Sequence, residues 1–429
     1  MKQRTAAEPP KDRRRFSREW KGAGAFCLFL RVLTAVLAAV LALTPITGAR
    51  ALTLYTASSF AGEDDSAVTY VNLLKAFEAE HGCVISDQSS ASSERWKQSV
   101  LNDFAAGNEP DVLFFFARGA DSVPILSRVI PIEQLNREYP DLNLPVSEAL
   151  READGQVYAV PVRPFWEGLM VNLDLFEEAG LALPATTWDQ LKDAIRVFRG
   201  KGIVPISVSL TDAPHYLAEM LIQACSTPEE QQARPRSAEE VPASWIRGMK
   251  LLRELYEIGA FPENAALVDE RTADELFHSG QAAMRVDGVW FAHQMTEEEM
   301  NRTAVLPAPR YGEVQGPVSY IGGVSMGFYL TRRAYEQPMV RDEAVALLAY
   351  LTSEESRAKL SGGSLTGSLQ QSAANLIASD HLMLGPIQDA MNATAREVWL
   401  MECVPAVAEG RMTAEECWER VMQLQPFGQ

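Results

Sequence analysis

Aromatic side chains stand next to carboxylates in two segments of this sequence. In DELFHSGQAAMRVDGVW, Trp290 follows Asp287 directly after a short apolar run. Phe165, Trp166 and Glu167 form a second group of the same kind. Aromatic faces supply apolar walls and carboxylates supply the few polar groups that orient a ligand, which is the chemistry of a small-molecule pocket. We therefore predict that both segments line a binding site.

Enzymes use some of the same residue types, and two catalytic arrangements can be drawn from the sequence. GVSMG (323–327) matches the G-x-S-x-G pattern of nucleophilic serines, with Asp380 and His381 after it. That pattern needs a helix directly after the serine, whereas here an apolar β run continues, which disfavours a hydrolase. Glu167 and Asp287 are carboxylates that a glycoside hydrolase could use, but their spacing sets no distance. No catalytic residue is predicted, and a glycoside hydrolase is the less favoured alternative.

The histidines and cysteines show no metal-binding pattern. The histidines are scattered without H-E-x-x-H, and no C-x₂-C occurs. No metal ion or cofactor is predicted. Four cysteines follow the N-terminal region, and in an exported protein they either pair or stay buried as free thiols: Cys83, Cys225, Cys403 and Cys417.

The N-terminal region has the composition of a secretory signal. A basic stretch is followed by an apolar run over 26–43 and by the tripeptide ARA (49–51), which has the small-x-small form of a signal-peptidase site. We predict a signal peptide over 1–51, cleaved after Ala51. The alternative is an uncleaved membrane anchor, because a run that starts at Phe26 is nearly long enough to span a bilayer. Either arrangement predicts export, to the periplasm or the outer face of the cytoplasmic membrane.

The charge balance excludes some partners. Residues 1–51 hold 10 of the 39 Lys and Arg and 3 of the 57 Asp and Glu, so removing them leaves 29 against 54, a net charge of −25. Such a chain repels phosphate backbones and anionic lipid surfaces. The sequence therefore predicts no nucleic-acid partner, and the high charge favours a soluble monomer.

Strand-like runs alternate with amphipathic helices from the start of the mature chain. Apolar residues at helical spacing predict helices over 66–82 and 93–107. Strands are predicted at LTLYT (52–56), CVISD (83–87) and PDVLFFF (110–116). This β-α-β-α-β order predicts a parallel sheet between layers of helices.

The same pattern restarts further along the chain. VPISVSL (204–210) and VSMGFYL (324–330) read as strands, and 244–261 reads as a long helix. Residues 341–360 predict a helix pair or one long helix, and the Pro- and charge-rich segment 226–243 predicts an exposed loop. Two groups of strands indicate two lobes, and ligands bind beyond the carboxyl ends of such strands.

Several segments resemble the extracellular solute-binding proteins of ABC importers, in the sugar-binding class that includes the maltose-binding protein. They follow the family's order over nearly the whole mature chain: AAGNEPDVLFF, GLMVNLDLFEEAGLALPATTWDQL, DELFHSGQAAMRVDGVW, VLPAPRYG, GGVSMGFYL and EAVALLAYLTSEESRAKL. The resemblance implies an α/β, two-lobed periplasmic-binding-protein fold. Each lobe would be a mostly parallel sheet with helices on both faces, and the ligand cleft would lie between the lobes.

The resemblance also implies a division of the chain and a function. The N-terminal lobe would comprise 52–160 plus about 320–375, and the C-terminal lobe about 161–319 plus 376–429. The protein would capture a small-molecule ligand, a sugar or oligosaccharide, by hinge closure and deliver it to a transmembrane ABC permease. A polyol, glycerol-phosphate or a polyamine stays open as an alternative ligand.

In the family, the aromatic residue after the strand that ends at Asp287 stacks on a sugar ring, and here that residue is Trp290. A pyranose presents a face of C–H groups to the indole, while its edge hydroxyls bind polar side chains. The same logic selects residues at strand ends. The expected ligand-binding residues are Phe115, Arg118, Phe165, Trp166, Glu167, His215, Tyr216, Asp287, Trp290 and Tyr320.

Overall fold

The structure is a computed structural model that describes residues 51–427, apart from 63, 65, 184, 185, 363 and 379. The predicted signal peptide falls on residues 1–51 and, except for Ala51, lies outside the described residues. No helix in the described part of the chain has the length and apolar character needed to cross a membrane.

Nine strands of the described chain form one sheet in the order β2-β1-β3-β8-β4-β6-β5, with β7 paired to β4 and β9 paired to β8. The strand bounds are β1 Thr53–Ala57, β2 Val84–Asp87, β3 Val112–Phe116, β4 Val160–Asn172, β5 Val204–Ser207, β6 Ala282–Gly288, β7 Thr303–Leu306, β8 Ser319–Leu330 and β9 Leu382–Leu384. The strands expected near residues 52, 83, 110, 204 and 324 are therefore confirmed.

Strand directions divide the sheet into parallel ends and an antiparallel centre. β1 pairs in parallel with β2 and β3 at one end, and β5 pairs in parallel with β6 at the other. The long strands β4 and β8 pair antiparallel with each other and with β6 and β3. The α/β two-lobed class is thus confirmed. Its sheet is mixed rather than mostly parallel, because β4 and β8 run from one end of the molecule into the other.

Helices pack on this sheet throughout the chain. The helices of the first half are Ala67–His81, Glu94–Ala106, Gly119–Ser122, Ile132–Glu138, Leu173–Glu178, Trp188–Gly200 and His215–Cys225. Those of the second half are Pro228–Gln231, Ala243–Glu257, Glu270–His278, Val289–Ala292, Glu297–Asn301, Arg332–Glu336, Arg341–Leu351, Glu354–Leu360, Gly367–Leu376, Ala393–Glu397, Val404–Glu409 and Ala414–Met422, with a π-helical turn at Val398–Cys403.

Local sequence explains where these helices begin and which face they bury. The Trp188–Gly200 helix starts at Thr187, whose hydroxyl and the Gln190 side chain form a capping box. Its buried residues are Trp188, Leu191, Ala194, Ile195 and Phe198, which fall at helical spacing. One apolar stripe thus anchors the helix on the sheet.

The buried apolar residues form three clusters. The N-terminal core draws on residues 54–162 and 328–360, and the C-terminal core on residues 169–286 and 387–422. A third cluster includes Trp166, Phe291 and Leu369. β4 joins the two larger cores, since Val160 lies in the N-terminal core and Leu169 in the C-terminal core.

One segment differs from expectation. Residues 226–243 are not a simple exposed loop, because Thr227 caps the Pro228–Gln231 helix and Gln231 is fully buried there. The Trp245 indole N–H donates to the Glu230 carbonyl at 2.9 Å and holds this helix down. Of the two arrangements expected for residues 341–360, the structure has the helix pair, since Thr352 caps the end of the first helix and Ser353 the start of the second.

Candidate ligand-binding site

Trp290 lies just beyond the end of β6, in the Val289–Ala292 helix, as the sequence predicted. Its Nε1 donates to Asp287 Oδ1 at 2.6 Å, so the indole turns back along the strand. A Cβ at Gly288 would lie 2.3 Å from the indole ring. Only glycine at this position leaves room for the ring.

Two aromatic side chains from other elements, Phe165 and Tyr216, lie close to the Trp290 ring. Its ring centroid lies 5.9 Å from that of Phe165 on β4 and 5.4 Å from that of Tyr216, at the start of the His215–Cys225 helix. His215 packs on Tyr216 with ring centroids 3.9 Å apart. We call Phe165, Tyr216 and Trp290 the aromatic group. It brings together residues that are up to 125 positions apart in sequence.

Glu167 lies beside the aromatic group, on the same face of β4 as Phe165 because alternate strand residues share a face. It pairs with Gly288 of β6 on one side and with Ile321 of β8 on the other. Its side chain is 7% exposed and lines a small cavity of about 10 Å³ together with Tyr216. No hydrogen bond joins its carboxylate to another described residue.

Two further acids act on Glu167 through their charge: Glu219, which is buried, and Asp389, which is half-buried. Glu219 accepts hydrogen bonds from the backbone N–H groups of Ile387 (2.8 Å) and Gln388 (3.0 Å), and burial raises its pKa to about 8. Burial also raises the pKa of Asp389 to about 6. The pKa of Glu167 is raised well above its usual range by burial and then by repulsion from other carboxylates. All three groups thus favour their protonated forms more than exposed carboxyls do.

Asp287 is held by an arginine rather than left free for ligand. Arg285 is fully buried, and its Nη2 lies 2.6 Å from both Asp274 and Asp287 and also contacts Glu270. The second Asp287 oxygen accepts from Gly288 N and Trp290 Nε1. The three carboxylates lie close enough together to hold a metal ion, but the Arg285 guanidinium already supplies their positive charge. Asp287 therefore positions Trp290.

A second charged group joins the two large cores near His215. Arg396 donates two hydrogen bonds to Asp121, at 2.8 and 2.9 Å, and Lys97 lies 3.5 Å from the same carboxylate. Asp121 follows β3, whereas Arg396 is on a helix that packs in the C-terminal core. Burial, then the charges of Lys97 and Arg396, lower the pKa of His215 to about 3, and its Nδ1 is buried without a partner. His215 is therefore a neutral imidazole at physiological pH.

Arg118 and Tyr320 lie at the edges of the site. A side chain at Gly323 would come within 3.5 Å of Phe165 and 3.7 Å of Arg118, so this glycine of β8 keeps both residues close to each other. Gly323 has a φ of +150°, which few other residues adopt. Tyr320 packs against the third cluster alongside Trp290, and burial raises its pKa.

The structure does not bring two of the predicted residues to the cavity. Phe115 is fully buried in the N-terminal core, with its ring 5.4 Å from that of Trp96. Trp166 lies in the third cluster, because it points to the opposite face of β4 from Phe165 and Glu167. The next residue, Phe116, is half-buried, and Lys97 Nζ lies 4.3 Å from the centroid of its ring.

Sequence reasoning missed Glu219, Asp389, Arg396 and Lys97. Glu219 did carry a signal, since it is the one charged residue in the apolar helix His215–Cys225 and stands four positions after His215. Asp389 and Arg396 lie in a region with no strand motif nearby. Their approach to the site is a matter of tertiary packing.

Ser325 of the G-x-S-x-G motif lies inside β8, which continues to Leu330. A nucleophile elbow needs a sharp turn from strand to helix at the serine. The motif therefore has strand geometry, and the His381 Nδ1 is already bound to the Leu376 carbonyl at 2.8 Å.

Comparison with known proteins places this chain among binding proteins. The family model "Bacterial extracellular solute-binding protein" matches residues 62–358, more than half of the chain. A binding protein of Brucella abortus (strain 2308) is 23% identical over 296 residues, which cover 66% of this chain and 68% of that protein.

Solved structures show the same fold. A chitin oligosaccharide binding protein has a TM-score of 0.74 and 20% identity, covering 87% of this chain and 98% of its own. A maltose-bound protein of T. maritima and a sugar transporter of Bacillus licheniformis in complex with stachyose each have a TM-score of 0.68 and 16% identity, covering 87% of this chain and 99% of theirs. From the extent of the family match, this chain belongs to the bacterial extracellular solute-binding proteins, a family of exported binding proteins.

Proposed function

We propose that this chain is the substrate-binding component of an ABC importer and captures a small sugar or oligosaccharide. The observation that carries the proposal is the aromatic group beside Glu167, at the junction of the N-terminal and C-terminal cores. Aromatic faces bind the C–H face of a sugar ring, and buried polar groups bind its hydroxyls. The protein then delivers the sugar to a transmembrane permease.

The ligands of structurally similar proteins support a sugar. Chitin oligosaccharide, maltose and stachyose are named for three of them. A phosphate-bearing ligand such as glycerol-phosphate fits less well, because the acids Glu167, Glu219 and Asp389 offer it no positive charge. A polyol or a polyamine remains as the alternative, the polyamine because acids stand beside aromatic rings.

Binding without catalysis follows from the state of the carboxylates. A glycoside hydrolase needs two carboxyl groups that act on one bond. Both Asp287 oxygens are occupied by protein donors, so Asp287 and Glu167 are a poor catalytic pair. We infer that the ligand leaves unchanged.

Hinge closure is part of the proposal. The cavity beside Glu167 has a volume of about 10 Å³, room for about one water molecule, so a sugar would enter only when the lobes separate. We place the lobes at 52–160 plus about 320–375 and at about 161–319 plus 376–429. The Gly367–Leu376 helix falls within the N-terminal lobe by these bounds, although it packs with the third cluster rather than with the N-terminal core. Gly322 and Gly323, where β8 passes between the lobes, are the proposed hinge.

The proposed function also implies a location and an oligomeric state for the protein. It works as a monomer in the periplasm or at the outer face of the cytoplasmic membrane, where a permease can receive its ligand. N-terminal sequencing of the natural protein separates a mature start at Leu52 from a retained anchor.

A thermal-shift screen tests the proposed function. The panel contains mono- and oligosaccharides, polyols and polyamines, and a ligand at 100 times its dissociation constant should stabilise the fold by about 2.7 kcal/mol. We expect at least one sugar to raise the melting temperature and to be recovered intact by chromatography. A panel in which only polyamines act, or in which the sugar is cleaved, would contradict the proposal.

A further inference from the structure

Glu167 is a buried carboxylate that no other described residue satisfies. Its exposed fraction is 7%, and it lines the cavity with Tyr216 and Gln223. It takes part in no hydrogen bond with another described residue. Buried polar groups in native proteins nearly always have partners. An unsatisfied one in a binding cavity indicates that the ligand supplies the partner.

Among the described residues, every charged group that acts on Glu167 is a carboxyl. These groups are Glu219 on the His215–Cys225 helix, Asp389 in the Gln388–Ala390 turn and Asp287 in β6. Tyr216, on the same helix as Glu219, lines the cavity beside Glu167. A neutral sugar would leave only acids around Glu167 and so favour its protonated form, whereas a positive charge would favour the carboxylate.

The cations in the neighbourhood act on other acids. Arg285 is bound to Asp287, and Arg396 is bound to Asp121. Arg118 acts on Asp389, and Arg234 acts on Glu219. None of them is among the groups that shift the protonation of Glu167. The carboxylate is thus left for a cation that comes from outside the chain.

The aromatic group, of which Tyr216 lines the cavity, also suits a cation. Phe165, Tyr216 and Trp290 turn rings toward one another over centroid distances of 5.4 and 5.9 Å. The face of an aromatic ring carries negative potential and attracts ammonium groups as well as C–H groups.

We propose that the ligand is an amino sugar or another basic sugar, whose protonated amine binds the Glu167 carboxylate within the aromatic group. This inference rests on the proposed function, because it takes the same cavity and names the class of sugar. Neutral sugars bind more weakly, since they form only neutral hydrogen bonds with Glu167, whereas a protonated amine forms a charge-assisted pair with the ionised carboxylate.

Proton release is a signature of this recognition. Burial and the three acidic neighbours raise the pKa of Glu167 well above its usual range, so without ligand it holds its proton more tightly than an exposed glutamate does. A bound ammonium favours the ionised carboxylate, so the proton passes to the buffer. The N-acetylated form of the same sugar is neutral and releases none.

Matched sugar pairs test the inference. The probes are glucosamine with N-acetylglucosamine, galactosamine with N-acetylgalactosamine, and the β-1,4-linked glucosamine disaccharide with its di-N-acetyl form. Calorimetric titrations at pH 7 in two buffers of different ionisation enthalpy report affinity and proton release together. We expect the amine of at least one pair to bind about tenfold more tightly than its N-acetyl form, with release of a proton.

Two substitutions complete the test. Glu167→Gln should remove both the preference for the amine and the proton release, because the glutamine amide carries neither the charge nor the titratable proton. Glu80→Gln is the matched control, because Glu80 is exposed on the Ala67–His81 helix. It should change neither the preference for the amine nor the proton release. If Glu167→Gln does not fold, the wild-type proton release decides alone.

The outcomes separate the two proposals. Equal or tighter binding of the N-acetyl forms, or amine binding without proton release, would overturn the amino-sugar inference and leave sugar binding intact. No binding of any amine would overturn it as well. If neutral sugars in the wider panel also fail to bind, that result would contradict the proposed function as well as the amino-sugar inference.

Discussion

Trp290 is the residue on which ligand stacking depends most. Its ring is half-buried, contacts Phe165 and Tyr216, and is oriented by Asp287. Trp290→Ala should weaken sugar binding by about 1–3 kcal/mol, from lost apolar contact and stacking. Trp290→Phe keeps a ring face but lacks the donor to Asp287, so it should lose less. Calorimetric titration measures both, and unchanged affinity in Trp290→Ala would remove this residue from the site.

Glu219 should make stability depend on pH. Its folded pKa of about 8 lies above the usual 4.5, so the folded protein holds a proton that the unfolded chain releases. This stabilisation is complete below about pH 4.5 and is lost as the pH rises toward 8, by up to about 1.4 kcal/mol per pH unit. Denaturant unfolding of Glu219→Gln between pH 5 and 8 should show a shallower decline than the wild type. Glu80→Gln should show the wild-type slope, and an unchanged slope in Glu219→Gln would refute the assignment.

The sequence could predict which residue types meet at the site, but not every side chain's direction. Trp290 and Tyr216 were found because they follow strand ends, and Phe165 and Glu167 because their segment resembles the ligand-facing part of the family's second lobe. Phe115 was also expected there, yet strand alternation and its packing on Trp96 turn it into the N-terminal core. Whether a strand residue faces the cleft or the core depends on pairing register, which one sequence does not supply.

At the scale of elements, the turn from β6 into the Val289–Ala292 helix positions the indole. Gly288 has a φ of −108°, which any residue adopts, so only the collision with Trp290 requires glycine there. Gly288→Ala should displace the ring, cost about 1–3 kcal/mol of stability and weaken sugar binding. Thermal unfolding and titration check both effects.

Gly200→Ala is the control for that substitution. Gly200 ends the Trp188–Gly200 helix, and an added Cβ there meets nothing within 4 Å. The change should leave binding intact and stabilise the helix by roughly 0.5–1 kcal/mol. Equal binding by Gly288→Ala and the wild type would show that Trp290 is not held by this turn.

The C-terminal helices hold a cysteine pair. All four described cysteines are free, but the Cys417 thiol donates a hydrogen bond to the Cys403 sulfur, which lowers the pKa of Cys403. Export into an oxidising compartment should join the two. Closing this loop of about 15 residues stabilises a fold by about 3 kcal/mol, so reductant should lower the melting temperature.

Thiol titration in denaturant checks the cysteine prediction. Protein that starts at Leu52 and is purified from outside the cytoplasm should show two reactive thiols, Cys83 and Cys225. A variant with Cys403→Ala and Cys417→Ala should melt at the same temperature with and without reductant, while Cys83→Ala should keep the difference. Four reactive thiols in the wild type would contradict the pairing.

Elements were more predictable than their assembly. Helical spacing and caps located the Ala67–His81 and Trp188–Gly200 helices, because those signals are local. The fusion of VYAVPV and GLMVN into one long β4 was not foreseen. Pro161 and Pro164 interrupt that run, and the register shifts around Arg163 absorb them in the structure.

At the scale of the whole molecule, contacts between the N-terminal and C-terminal cores describe a closed arrangement. Asp121 and Arg396 form a two-bond ion pair with about a tenth of each side chain exposed. A Cβ at Gly119 would lie 1.8 Å from the Asp389 carbonyl, so backbone from the two cores is in close approach. In the proposed opening these contacts would be lost, and a ligand that touches both lobes would favour their formation.

Small-angle X-ray scattering of the wild-type protein, with and without the sugar that most raises its melting temperature, tests this account most directly. The profile at saturating sugar should match the one calculated from this structure over residues 52–427. The ligand-free protein should have a larger radius of gyration, because the lobes open to admit the sugar. Identical profiles in the two states would contradict capture by closure.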